Sequence, residues 1–186
     1  LTAGRPILVG MHPNQMVLDV SEWVNSPPVD LESLRGRVVL IEAFQMLCPG
    51  CISHGIPQAQ RVHRAFDRRE VVVLGLHTVF EHHDVMTPRA LEVFCSEYRI
   101  GFPVGVDRPV PGRSMPSTMS RYDLQGTPST LIVDRAGLLR HVWLGAVDDV
   151  ALGAHLGRLL SEPLPDQVAA DESPDGVCSV DGTCTP

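Results

Sequence analysis

The 186-residue sequence contains no lysine, so all fifteen of its basic residues are arginine. Schiff-base chemistry and catalysis by a lysine base are therefore excluded. The net charge is −7, and no basic cluster is longer than Arg68-Arg69. Because phosphate binding needs a concentrated positive face, nucleic acid is not expected as a partner.

Long apolar runs are also missing. No stretch approaches the roughly 18–20 apolar residues needed to cross a bilayer, and Leu1 to Gly10 is too short and too interrupted for a signal peptide. We expect no membrane span and a cytoplasmic location; the alternative is a periplasmic or secreted protein whose signal was removed. Hydrophobic residues make up 44% of the chain, which suffices for a core without metal or cross-links.

The five cysteines form two close pairs and a single Cys95. An odd count in a chain with its own core favours redox or metal chemistry over a disulfide framework. Cys95 lies in a helical pattern with Leu91 and Phe94, which predicts a core residue.

The hydrophobic pattern predicts an α/β domain with a central mixed β-sheet flanked by helices. A strand-like stretch at 16–20 precedes a helical turn at 30–34. The predicted strands then lie at 37–44, 71–76, 102–106, 129–133 and 138–144, and the helices at 50–69, 87–99, 117–122 and 148–160. We divide the chain into an N-terminal extension (1–30), one domain (31–160) and a flexible C-terminal tail that contains two cysteines (161–186).

The segment Cys48-Pro49-Gly50-Cys51, the CPGC motif, lies where the 37–44 strand gives way to a helix. A helix N-terminus stabilises a thiolate, which is the reactive form of cysteine. Cys51 follows one helical turn later, within reach of a mixed disulfide at Cys48. The pattern favours a redox pair, although a CxxC pair is also common in metal sites.

Three segments together resemble the thioredoxin-like redoxins of the TlpA and alkyl-hydroperoxide-reductase-related groups. They are the stretch 34–40 before the active-site strand, the CPGC motif, and Gly126-Thr127-Pro128-Ser129-Thr130. The resemblance implies a thioredoxin-like fold with an inserted αβ unit. It also implies that Pro128 is cis and faces the cysteines, with Thr127, Pro49 and Gly50 beside the substrate.

Glu42 is a carboxylate within a strand that is apolar on both faces. Burial raises the pKa of a carboxyl toward neutrality and enables it to exchange protons. Its position, six residues before Cys48, resembles that of the buried acid of thioredoxin, and we expect it to transfer protons with Cys51. The sequence departs from that family at Leu47, where an aromatic is common, and at Pro57, six rather than five residues after Cys51.

Four histidines and the second cysteine pair leave alternatives open. His77, His82 and His83 are expected either in a solvated loop or as metal ligands or bases, and His54 on the active-site helix either tunes the thiols or is simply exposed. The tail that carries Cys178 and Cys184 is long enough to reach the CPGC motif, so a disulfide relay competes with a local disulfide or free thiols.

These observations predict a thiol–disulfide oxidoreductase that needs no cofactor. Its expected partners are protein or small-molecule thiols and disulfides together with an upstream redox partner. A peroxidase is one alternative, although the residues before Cys48 lack the Pro-x-x-x-Thr-x-x-Cys pattern of a peroxiredoxin site. A copper- or zinc-binding module that uses Cys48, Cys51 and His77 is the other.

Overall fold

The computed structural model describes residues 14–163. They form a six-stranded sheet with the order β1-β4-β3-β2-β5-β6. The strands are β1 Val20–Val24, β2 Val38–Phe44, β3 Val71–His77, β4 Val104–Asp107, β5 Ser129–Val133 and β6 Leu139–Leu144. The helices are α1 Ile56–Ala65, α2 Pro88–Glu97, α3 Ser117–Arg121 and α4 Asp149–Ser161. The predicted mixed α/β sheet with an inserted αβ unit (α2 and β4) is confirmed.

The sheet is parallel in its centre and antiparallel towards both edges. β2, β3 and β4 run in one direction, while β5, β6 and β1 pair antiparallel with their neighbours. Every residue of β2 is buried, as expected for a strand covered on both faces. The chain leaves the carboxyl end of β2 directly into the CPGC motif, at the edge where open α/β sheets bind their ligands.

Two apolar clusters cover the two faces of the sheet. One contains Leu40 and Phe44 of β2 with the buried faces of α1, α2 and α4. The other contains Val39 and Ile41 with residues from the 14–34 segment and α3. Glu42 alternates with Leu40 and Phe44, so its side chain lies on the face that α1 covers.

Local sequence signals fix several helix ends. The Thr87 side chain accepts a hydrogen bond from the Ala90 N–H and caps α2. Asp148 accepts from the N–H groups of Val150 and Ala151 and caps α4. Gly36 closes the 3₁₀ turn Glu32–Leu34 with a φ of 84°, a conformation that suits glycine.

Two predicted elements differ from the structure. The first strand lies at Val20–Val24 instead of 16–20, because it pairs as an edge strand with β4. The active-site helix begins with a π turn, Cys51–Gly55, and ends at Ala65 instead of continuing to 69. Pro57 stands in the first turn of α1, and the helical backbone runs into it without a break from the π turn.

Candidate active site

The two cysteines of the CPGC motif differ in exposure. Cys48 is partly exposed, whereas Cys51 is completely buried against the core. The Cys51 backbone N–H donates to the Cys48 sulfur at 3.2 Å. A backbone donor at this position stabilises a thiolate on Cys48. The outer cysteine is thus accessible and supported by a hydrogen bond, and the inner one is shielded from solvent.

Burial, together with the contact with Cys48, raises the pKa of the Cys51 thiol to about 12. Cys51 therefore remains a thiol at neutral pH. It can act as a nucleophile only when a neighbouring group removes its proton.

The Thr127–Pro128 peptide bond is cis, as the family resemblance implied. The Cys48 thiol lies 3.4 Å from the Thr127 carbonyl oxygen, to which it donates. A Cβ on Gly50 would lie 3.1 Å from Pro128 Cδ, so the CPGC turn packs closely on the proline ring. The Pro128 carbonyl accepts from the Gly145 N–H at 2.8 Å, which ties this loop to the end of β6. The structure thus brings Cys48, Gly50, Thr127 and Pro128 together.

Glu42 is 1% exposed and faces the active-site helix from the centre of β2. Its Oε2 accepts from the Thr130 hydroxyl at 2.9 Å, while its Oε1 is buried without a hydrogen-bond partner. Burial raises the pKa of this carboxyl to about 8, and the Thr130 hydroxyl lowers it only in part. A carboxyl with a pKa of about 8 that faces the helix carrying Cys51 is suited to proton transfer.

Gly55 and Thr130 belong to this site although the sequence analysis did not identify them as its residues. A Cβ on Gly55 would overlap Glu42 Oε1 and would lie 2.9 Å from Pro128 Cβ. The one signal in the sequence was the position of Pro57, one residue later than thioredoxin-like helices often have it. The π turn accommodates that extra residue, because its hydrogen bonds span five residues instead of four.

The histidines separate into two groups. His54, His82 and His83 are exposed, in accord with the solvated interpretation. His77 is not in a loop: it is the last residue of β3, 1% exposed, and neither ring nitrogen has a hydrogen-bond partner. Its buried ring lies 5.5 Å from that of Phe44, and desolvation lowers its pKa to about 4.

Cys95 is 2% exposed in the core, as predicted, and burial raises its pKa to about 11. Cys178 and Cys184 lie outside the described residues. Between residues 14 and 163, no three His, Cys, Asp or Glu side chains are grouped closely enough to hold a metal ion. In the same part of the chain, no helix has the length and apolarity that a bilayer crossing requires.

A central sheet, a CxxC pair that begins a helix and a facing cis-proline define a thiol–disulfide oxidoreductase of the thioredoxin fold. Residues 17–142 match the model of the AhpC/TSA family, and the chain belongs to this family.

Known proteins with a similar structure or sequence agree with this class. The chain is 58% identical to a thiol-disulfide isomerase from Corynebacterium glutamicum, with a TM-score of 0.79, over 80% of this chain and 97% of that one. It is 54% identical to a thioredoxin-like superfamily protein, with a TM-score of 0.78, over 80% and 96% of the two chains. It is also 27% identical to protein DipZ of Mycobacterium bovis and of Mycobacterium tuberculosis, over 78% of this chain. The chain spans 20% of the length of these DipZ proteins.

Proposed function

We propose that this protein exchanges disulfides with extended protein segments, with Cys48 as nucleophile, Cys51 as resolving thiol and Glu42 as proton carrier. The observation that carries the proposal is the asymmetry of the pair. The Cys48 sulfur is partly exposed and accepts a backbone N–H, while Cys51 is buried behind it.

In the first step the Cys48 thiolate attacks a substrate disulfide. A bond forms between Cys48 and one substrate sulfur, and the other substrate sulfur leaves as a thiolate that takes a proton from solvent. Thr127 and Pro128 border the reacting sulfur, so the main chain of the substrate lies along this loop.

In the second step the Cys51 thiol transfers its proton to the Glu42 carboxylate and attacks Cys48. The Cys48–Cys51 disulfide forms, the mixed disulfide breaks, and the second substrate thiol is released. The protein has then lost two electrons and the substrate disulfide has gained them. In the reverse direction, protonated Glu42 returns its proton to Cys51 as the protein disulfide opens.

Apolar side chains beside the site favour a protein substrate. Leu47, directly before Cys48, is 59% exposed, and Leu144, which pairs with Ser129 next to Pro128, is 60% exposed. Exposed apolar side chains beside a site provide contacts for a partner protein. A small disulfide such as glutathione disulfide would reach the sulfur without covering them.

The reduction potential relative to the upstream redox partner decides whether the protein reduces or oxidises its substrates. The cytoplasmic location and the relay by Cys178 and Cys184 remain predictions. A cytoplasmic location favours reduction of substrates, and export permits either direction. Fractionation of cells that express the complete protein tests the location.

Trapping of the mixed disulfide tests the assignment of the two cysteines. Cys51→Ser should accumulate a covalent complex with a peptide disulfide, linked through Cys48. Cys48→Ser should form none, and Cys95→Ser, which changes only a core thiol, should react like the unmodified protein. A complex that survives in Cys48→Ser would refute the assignment. Peroxide consumption at rates that match disulfide exchange would instead favour the peroxidase alternative.

A further inference from the structure

We infer that Gly55 is a positioning residue for Glu42: by lacking a side chain, it leaves the space in which the unpaired carboxyl oxygen of Glu42 lies. The inference rests on the proposed role of Glu42. It concerns a residue whose only visible signal in the sequence was the late position of Pro57.

The backbone of Gly55 does not itself require glycine. Its φ and ψ are both −58°, which are helical values that any residue adopts. The requirement comes from space, because a Cβ at this position would overlap Glu42 Oε1 and would also crowd Pro128 Cβ at 2.9 Å. The two other helical glycines near the end of the domain, Gly153 and Gly157, have no atom within 4 Å of such a Cβ.

The carboxyl of Glu42 is held on the side of β5 by a single hydrogen bond. Its Oε2 is fixed by the Thr130 hydroxyl, and its neighbours on the sheet are Gly75 in β3 and Thr130 in β5. A methyl group on Gly55 would therefore push Oε1 away from the active-site turn or break the Thr130 hydrogen bond. Either movement displaces the proton carrier from Cys51, which begins the same π turn that Gly55 ends.

The π turn explains why glycine occupies this position. The π turn Cys51–Gly55 takes up one additional residue before Pro57 and ends at Gly55. With Gly55 at that point, the turn lies directly on the carboxyl and on the cis-proline. The extra residue and the missing side chain thus act together to let the turn pack on the Glu42 carboxyl.

The test compares four proteins: unmodified, Gly55→Ala, Glu42→Ala, and the double variant. Single-turnover reduction of glutathione disulfide is measured from pH 6 to 9. We expect Gly55→Ala to lose roughly tenfold in rate at pH 8, which is part of the roughly 100- to 10,000-fold that a positioned proton-transfer group contributes, and to lose the inflection near pH 8. Adding Gly55→Ala to Glu42→Ala should change the rate less than about twofold, since coupled residues are not additive. Gly153→Ala serves as the matched control and should react like the unmodified protein.

The outcomes separate this inference from the proposed function. Wild-type rates in Glu42→Ala would overturn the role of Glu42 itself. A second outcome is that Glu42→Ala reacts slowly and that Gly55→Ala lowers the rate by the same factor with and without Glu42. This would show that Gly55 acts through Pro128, and would overturn only the positioning role. Unchanged rates and pH profile in Gly55→Ala would also overturn it. If Gly55→Ala does not fold, the double variant keeps only the 2.9 Å contact with Pro128 Cβ and should fold. Failure of both variants would assign the need for glycine to Pro128 and would contradict the inference.

Discussion

At the scale of single residues, the site depends on the cost of burying groups that ordinarily carry charge. Desolvation in the core makes Cys51 and Glu42 each favour the protonated form near neutral pH. A thiol that must lose its proton and a carboxyl that titrates near pH 8 complement each other. In the proposed mechanism, the burial that shifts these two pKa values serves catalysis, and the same burial lowers the free energy of unfolding.

Glu42→Gln tests the stability cost. The folded pKa of Glu42 is raised to about 8 from an ordinary value of 4.5, so the unfolded chain releases this proton at lower pH. The carboxyl therefore reduces the free energy of unfolding as pH rises from about 4.5 to 8, by a few kcal/mol in total. We expect Glu42→Gln to gain stability over the unmodified protein across that window, measured by urea unfolding of the reduced proteins. A difference that stays constant with pH would contradict the assigned pKa.

His77→Phe tests a buried group whose effect on stability has the opposite dependence on pH. The folded pKa of His77 is lowered to about 4 from 6.5, so its contribution to stability is lost as pH falls from 6.5 towards 4. Phenylalanine keeps the ring next to Phe44 and removes two unpaired nitrogens, which cost about 1–3 kcal/mol. The variant should be more stable at pH 7 and gain further at pH 5, in urea unfolding. His83→Phe, at an exposed position, is the control, and an equal gain there would refute the argument.

At the scale of secondary structure, the elements that have clear local signals in the sequence were predicted well. The 37–44 segment, which is apolar except for Arg37 and Glu42, became β2. The helices predicted at 87–99 and 148–160 are present, and Thr87 and Asp148 cap them. The π turn was not predictable from the spacing of apolar residues, because one inserted residue leaves the apolar pattern of α1 intact. Its contact with Glu42 depends on how α1 packs across β2, which no local pattern encodes.

Asp148→Ala measures the contribution of one cap. Its carboxylate accepts from two N–H groups at the start of α4, and loss of such a cap costs about 1 kcal/mol. The free energy of unfolding should fall by that amount while the exchange rate stays unchanged. Val150→Ala, at a 79% exposed position in the same turn, should leave stability nearly unchanged. Equal losses in both variants would show that the cap contributes nothing of its own.

At the scale of the whole molecule, the order of strands assembles a site from distant segments. β2 supplies Glu42 and leads into the CPGC motif, and β5, its antiparallel neighbour, begins directly after Pro128 and supplies Thr130. The sequence motifs predicted which segments meet. They did not show that Gly55 and Thr130 would enclose the carboxyl, since that needs the packing of three elements.

Leu144→Ser tests whether the apolar surface recognises protein substrates. Loss of an exposed leucine beside the cis-proline should raise the KM for a peptide disulfide several-fold, because the substrate loses an apolar contact. The rate with glutathione disulfide should not change. Val142→Ser, at an exposed position two residues earlier in β6, is the control. Equal effects on both disulfides would contradict recognition through this surface.

The central claim, that Cys48 and Cys51 form the reactive disulfide, is tested most directly by a redox titration. The metal-free protein is equilibrated at a series of potentials, its thiols are trapped, and the modified peptides are mapped. The account predicts a reversible Cys48–Cys51 disulfide with a potential between about −120 and −270 mV, the range of known exchange enzymes. The same map shows whether Cys178 and Cys184 equilibrate with it. Cys48 and Cys51 that never pair at any potential would contradict the account.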